Sequence, residues 1–342
     1  MPMTLTATPP TSTTTRFPLT WTEADAPDLS GRTVVVTGAT SGPGLLLTGH
    51  LAALGAHVVV AARDEAKATA ARAELLARAT GTGTGTDLAG RLEVRRLDLA
   101  DQDSVRRFAD DWLDTGRPLD VLVNHTGVAH QPDRLSPQGH ESRLATHVLG
   151  PFALTGRLLP ALRASEATGP GPRVVTVGST LYRRVPGDDL DALRGTGPHA
   201  GGIAYLRAKA AVTAWARELD RRLVGDAGTG TIGGTTDSGR AVVRSLVAHP
   251  GTASTPPQAS SRVLALVTRL LAARHGRPAD QGVLPLLYAA TDAGAPADRL
   301  LGPGRTHDDR VHATRFVRAA ADPAFARRLW AFAEDLTGVR YL

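Results

Sequence analysis

Thr37-Gly38-Ala39-Thr40-Ser41-Gly42-Pro43-Gly44 follows directly on an apolar β-branched run, Thr33 to Thr37 (TVVVT), and leads into Leu45-Leu46-Leu47. The run before it reads as a buried strand, and the leucine- and alanine-rich stretch after it reads as a helix from about Gly44 to Leu54. Glycines permit a tight turn and a close backbone approach. A helix start offers unpaired N–H groups and the positive end of its dipole to a pyrophosphate. A glycine-rich turn alone is weak evidence, but a strand before it and a helix after it make a dinucleotide cradle the expected use. Gly38, Thr40, Ser41, Gly42, Pro43 and Gly44 are therefore candidate cofactor-binding residues. The plainer reading is a turn that lets a helix pack close to a sheet. Pro43 is tolerable in a first helical turn, yet it deletes one N–H and restricts Gly42.

Outward from this turn, strands and helices alternate. Strands are expected at His57–Ala61, Leu92–Leu97, Leu119–Val123, Arg173–Val177 and Val242–Ala248. Helices are expected at Asp64–Ala79, Asp101–Leu113, Glu141–Arg163 and Ile203–Leu223. Near-continuous apolar strands separated by helices predict an α/β fold, a doubly wound parallel sheet of Rossmann type covered on both faces. The chain of 342 residues reads as one such domain over 29–342, with a C-terminal helical extension. Residues 1–28, whose first sixteen are Thr/Pro-rich, read as a disordered or loosely packed tail. Gly/Thr-rich stretches near 80–90 and 225–239 read as low-complexity loops without catalytic duty. The long connection from Thr180 to Gly202 leaves the C-terminal end of a strand, where ligands bind in open α/β sheets.

Composition narrows the function. With no cysteine there are no disulfides, thiolate metal sites or Cys nucleophiles, and a cytoplasmic location is the expectation. Net charge is +6, but the basic residues are scattered among 33 acids with no basic block interleaved with aromatics, which argues against nucleic acid as partner. No apolar run is long enough to span a membrane, and no secretory leader is legible.

Two further positions carry chemistry. After the second strand the chain reads Val60-Ala61-Ala62-Arg63, with no acid until Asp64. NAD sites place a carboxylate there for the ribose 2′-hydroxyl, whereas an arginine suits a 2′-phosphate, so NADP(H) is expected in preference to NAD(H). The plain alternative for Arg63 is a solvated loop residue. Of the 39 basic residues only Lys67 and Lys209 are lysine, and Lys209 lies four residues after Tyr205. On a helix the two side chains share a face. A compact ammonium can lower a neighbouring phenol's pKa and bind a sugar hydroxyl, which a planar guanidinium does less well. The alternative is a chance pair on a solvated helix.

Together these residues resemble the short-chain dehydrogenase/reductase family, from about Leu29 to Leu342. Thr37–Gly44 matches its TGxxxGxG signature, Tyr205–Lys209 its YxxxK, and Ser179, in Val177-Gly178-Ser179, its active-site serine. Leu97-Asp98-Leu99 is similar to the adenine-contacting strand end, and His249-Pro250-Gly251-Thr252 to the nicotinamide-side loop. The long Ser–Tyr spacing, Asp188-Asp189-Leu190 and the ending Arg327-Arg328-Leu329-Trp330…Leu336-Thr337-Gly338-Val339 resemble retinol dehydrogenase-like reductases. Two departures stand out. The family's NNAG is Asn124-His125-Thr126-Gly127 here, keeping Asn124 and Gly127. Its proton-relay asparagine falls near Thr146, which lacks the amide's reach and helix-distorting role; His125 and His147 could compensate, but read first as ordinary polar or packing residues.

The resemblance implies hydride transfer between a nicotinamide and a moderately lipophilic alcohol, aldehyde or ketone. Tyr205 would be general acid/base, its pKa lowered by Lys209 and the oxidised nicotinamide; Lys209 would also bind ribose hydroxyls, and Ser179 would hold the substrate oxygen. The pocket wall is expected from His130–Leu135, Thr180–Arg184 and the stretch after Pro250. The long helices at Glu141–Arg163 and Ile203–Leu223 are candidate faces of a homodimer. Against this stands a protein that binds the cofactor without redox turnover and serves as a regulator, or one that catalyses elimination or cyclisation, as Pro43, Thr146 and the altered NNAG would allow.

Overall fold

The computed structural model describes residues 16–80, 88–126, 134–166, 170–184, 189–194, 201–227, 241–251, 279–304 and 310–342. Its centre is a nine-stranded sheet. In chain order the strands are β1 (Arg16–Pro18), β2 (Thr33–Thr37), β3 (His57–Ala62), β4 (Leu92–Arg96), β5 (Val121–Asn124), β6 (Arg173–Val177), β7 (Arg244–Ala248), β8 (Leu300–Pro303) and β9 (Val311–Thr314). Their order across the sheet is β1-β9-β8-β7-β6-β5-β2-β3-β4. From β4 to β8 every neighbouring pair is parallel, and the direction of winding reverses between β2 and β5. In such sheets that reversal is where ligands bind, beyond the strands' carboxyl ends.

The alternation of side chains along a strand builds two cores. Val35 faces one layer while Val34 and Val36 face the other. The first layer comprises α3 (Gln102–Leu113), α4 (Ser142–Leu144) with its continuation into α5 (Gly150–Arg163), α6 (Asp191–Arg194) and α7 (Gly201–Asp226). The second comprises α1 (Gly42–Ala53), α2 (Glu65–Thr80) and α8 (Ala279–Thr291). A last helix, α9 (Pro323–Thr337), lies over α7 and α5 in the first layer.

Local sequence explains the starts and stops. Asp101 caps α3 by accepting from the Asp103 N–H at 3.0 Å, and Asp322 caps α9 through the Ala324 N–H at 2.8 Å. Gly338 ends α9 in the left-handed region at φ 67°, a conformation glycine adopts without penalty.

The doubly wound architecture is as expected, with three differences at the margins. Residues 16–28 are not loose: β1 pairs antiparallel with β9, and Trp21 packs in the second core against Tyr288. Because β9 also runs antiparallel to β8, this edge mixes directions, which the sequence pattern did not indicate. The stretch near 225 begins as the end of α7, while 81–87 and 228–240 fall outside the described residues.

Candidate active site at the sheet's carboxyl edge

The glycine-rich turn has the backbone its sequence demands. Gly38 and Gly42 take positive φ values, 63° and 57°. Gly38 and Ser41 are exposed, Thr40, Gly42 and Pro43 half-buried, and Gly44 buried. Ser41 is the N-cap of α1 but makes no side-chain capping bond, so the first-turn N–H groups of α1 are not taken up by it. Pro43 sits inside that first turn and removes one of them. An open helix start on an exposed glycine turn fits an anionic cofactor group.

Beneath the turn lies a residue that sequence reasoning set aside. A Cβ at Gly44 would sit 2.8 Å from His125 Nδ1, and one at Gly38 would collide with the His125 carbonyl. The His125 N–H donates to Thr37 Oγ1 at 3.0 Å, and Thr37 Oγ1 donates to the Val123 carbonyl at 3.3 Å, tying β5 to β2 under the loop. Burial, with the Lys209 charge adding to it, pushes the His125 imidazole down to about 4, so it is neutral at pH 7. Asn124 donates through Nδ2 to Thr155 Oγ1 at 3.1 Å and is buried.

At the end of β3, Arg63 is exposed and makes no ion pair with any described residue. The neighbouring acid is committed elsewhere: Asp64 Oδ1 accepts from the Lys67 N–H at 3.1 Å at the start of α2. After β4, Asp98 turns the chain by accepting from the Ala100 N–H at 3.0 Å, and Leu99 is buried. Gly251 has φ 77° and donates its N–H to His249 Nδ1 at 3.0 Å, shaping the turn after Pro250. Gly127, Thr252 and most of the expected wall from His130 to Leu135 lie outside the described residues.

Lys209 joins the pieces. It is 2% exposed, and its Nζ donates to the carbonyls of Thr126, after β5, and Val177, the last residue of β6, at 2.7 Å each. Burial pushes its ammonium down to about 7, while the two carbonyl acceptors favour the charged form. Tyr205 lies one turn earlier on α7, its ring centroid 5.9 Å from Lys209 Nζ. Burial shifts its phenol upward. The reason is positional: the ammonium is drawn to two backbone carbonyls, and the interior disfavours both charged forms. Ser179 stands two residues beyond Val177, and its Oγ accepts from the Leu181 N–H at 3.2 Å. One hydroxyl proton is thereby left to donate.

Thr146 and His147 differ in their surroundings. Both lie in a π-helical segment, Ala145–Leu149, in which the Gly150 N–H reaches back to the Ala145 carbonyl. The helix is distorted here without an asparagine. Pro151 has no N–H to return to the His147 carbonyl four residues earlier, and such wide turns recur at functional sites. Thr146 is half-buried and makes no side-chain hydrogen bond with any described residue. His147 is fully buried, and its ring meets the Tyr205 ring edge-on, centroids 5.5 Å apart at 78°.

A parallel sheet with its winding reversal over a glycine turn, and a tyrosine–lysine pair at the strand ends, define a Rossmann-type dehydrogenase architecture. Residues 32–227 match the short chain dehydrogenase family. Polyprenol dehydrogenase of Mus musculus is 37% identical over 313 residues, 91% of this chain and 85% of that protein. Retinol dehydrogenase 12 of Homo sapiens is 31% identical over 317 residues, 92% and 88% respectively. A crystal structure of an uncharacterized protein from Mycobacterium Paratuberculosis superposes with TM-score 0.69 at 35% identity, covering 94% of this chain and 99% of that one. A Burkholderia cenocepacia short chain dehydrogenase in complex with NADP shares the fold, with TM-score 0.55 and 24% identity over 78% and 93% of the two chains. The chain belongs to the short-chain dehydrogenase/reductase family, in its retinol dehydrogenase-like subgroup, and is an oxidoreductase.

Among the described residues no helix is long and apolar enough to cross a membrane, and no cluster of three metal-ligating side chains occurs.

Proposed function

We propose that this oxidoreductase uses NADP(H) to interconvert a moderately lipophilic alcohol and its carbonyl form, with Tyr205 as general acid/base. The observation that carries the reading is the pinning of Lys209 to the ends of β5 and β6 with Tyr205 one helical turn away. Names of relatives, retinol and polyprenol dehydrogenases, support a lipophilic substrate class. A cytoplasmic location belongs to the same reading.

Bound NADP(H) supplies or receives the hydride. The chain's own groups manage the oxygen and its proton. Ser179, with its Oγ fixed by the Leu181 N–H, donates its hydroxyl proton to the substrate oxygen. Tyr205 gives its proton to that oxygen as the C=O bond becomes an alcohol, or takes it back in oxidation. Burial shifts its phenol upward, which favours the protonated form that gives a proton to the substrate oxygen. An ammonium has three donors, and Lys209 spends two on carbonyls; the third suits a ribose hydroxyl. Gly38, Ser41 and Gly42 would hold the pyrophosphate, Arg63 the 2′-phosphate, Asp98 and Leu99 the adenine side, and Asn124 and Pro250–Gly251 the nicotinamide side.

One observation favours the second reading, binding without turnover: Pro43 subtracts an N–H from the cradle. Decay of nicotinamide absorbance with NADPH and a panel of aliphatic and polyene aldehydes distinguishes the two. Turnover in the wild type, abolished in Tyr205→Phe with NADPH affinity retained, is the expected result. NADPH binding without oxidation across the panel, or turnover surviving in Tyr205→Phe, overturns the catalytic reading.

A further inference from the structure

We infer that His147 is a positioning residue for Tyr205, its imidazole bracing the phenol ring through an edge contact so that the hydroxyl keeps one orientation at the strand ends. This rests on the reading of Tyr205 as proton donor and deepens it. The phenol is flanked twice. Lys209 Nζ lies over the ring at 5.9 Å from its centroid, and the His147 ring stands nearly perpendicular to it at 78° with centroids 5.5 Å apart. Perpendicular ring pairs at this spacing are attractive because the electron-poor edge of one meets the electron-rich face of the other.

The contact is built into the backbone. His147 is fully buried, so close packing restricts its rotamer choice. The π-helical turn Ala145–Leu149 inserts one extra residue before Gly150, which changes the direction in which each side chain of the turn leaves the helix. Pro151 and Gly150 maintain that turn: proline cannot complete a regular i→i−4 bond to His147, and a Cβ at Gly150 would collide with the Leu99 carbonyl. Lys209 is drawn away from the phenol by the Thr126 and Val177 carbonyls, so the ammonium by itself holds the ring only loosely from one face. The imidazole supplies the second support.

The full-length chain with 13Cζ-labelled tyrosine tests this, read by NMR alongside steady-state reduction of decanal with NADPH. Tyr205→Phe assigns the resonance by deleting it. In the wild type the Tyr205 signal is expected to be single and sharp. In His147→Ala it broadens or splits, and kcat falls about tenfold, equivalent to about 1.4 kcal/mol, with KM changing less than about twofold. His147→Phe restores the sharp signal and most of kcat, because the ring edge returns without the nitrogens. His147→Asn, which keeps polarity and loses the ring, behaves like His147→Ala and serves where the alanine variant does not fold. An unperturbed Tyr205 signal in His147→Ala or His147→Asn overturns the inference. So does a His147→Phe signal as disordered as that of the alanine variant. A released ring with undiminished decanal turnover leaves the bracing intact and removes Tyr205 as the acid.

Discussion

His125 shows what a single substitution against a family pattern does physically. Where relatives carry a second asparagine, an imidazole fills the space under Gly38 and Gly44 and stays uncharged because burial holds it at about 4 against 6.5 in the open chain. The sign follows from proton counting: between these values the unfolded chain binds the proton and the folded chain does not. Stability is therefore complete above pH 6.5 and lost as pH falls toward 4, by about 3 kcal/mol at most. Urea denaturation at intervals from pH 7 to 4 should show that loss in the wild type and a markedly shallower one in His125→Asn. Equal slopes would mean the imidazole titrates freely in the native state. Arg63 makes a different prediction. Being exposed and without an ion-pair partner among the described residues, it is free to meet a 2′-phosphate. Arg63→Ala should weaken NADPH binding about ten- to a hundredfold, the worth of one or two charge-assisted hydrogen bonds, and leave NADH binding as it was. Identical NADPH titrations would remove Arg63 from the site. The residues behind both predictions were visible in the sequence, but only for Arg63 did the sequence suggest a role. An arginine at a strand end carries its meaning in its position, whereas a histidine's depends on what surrounds it.

Helices and strands were legible wherever their own side chains decided them. Val-rich β2 and β3 and the Asp-capped α3 stand within a residue or so of where pattern and caps put them. The continuous helix expected from Glu141 to Arg163 is instead two α-helical pieces around a π turn, since a missing N–H at Pro151 acts across four residues. Where that turn ends, Gly150 packs on the Leu99 carbonyl, in the connection after β4, with no room for a methyl group. Gly150→Ala should therefore cost about 1–3 kcal/mol through overpacking, measured as a lowered urea midpoint, and should disturb the Leu99 end of the cofactor groove. An unshifted midpoint would show that the helix can move outward freely.

The C-terminal segment packs over α5 and α7. Trp330 meets Phe152 of α5 edge-on and Tyr341 meets it at a tilt, with centroids 5.2 and 4.9 Å away, and Trp215 Nε1 of α7 donates to the Tyr341 hydroxyl at 3.3 Å. Arg222 lies 4.2 Å from the Trp330 ring and donates to the Leu342 carbonyl at 2.8 Å. The faces of α5 and α7 that bear Phe152, Gly156 and Trp215 are thus covered by the chain's own end. Removing the central ring should be costly: Trp330→Ala is expected to lower stability by about 3–5 kcal/mol, read from denaturant midpoints. The α5 and α7 faces, once uncovered, should then promote self-association detectable by sedimentation. A variant with unchanged midpoint and unchanged sedimentation would show that α9 is an ornament on a core complete without it.

Strand runs, caps, the glycine turn and the spacing of Tyr205 and Lys209 are local quantities, written in adjacent residues, and they were enough to specify a doubly wound sheet and its dehydrogenase family. Three-dimensional packing settled the rest, because each answer depends on residues far apart in the chain. Burial among distant elements raises the phenol of Tyr205 and lowers Lys209; the ring of His147 meets that of Tyr205 from another helix; and β1, β9 and α9 find partners that no local pattern names.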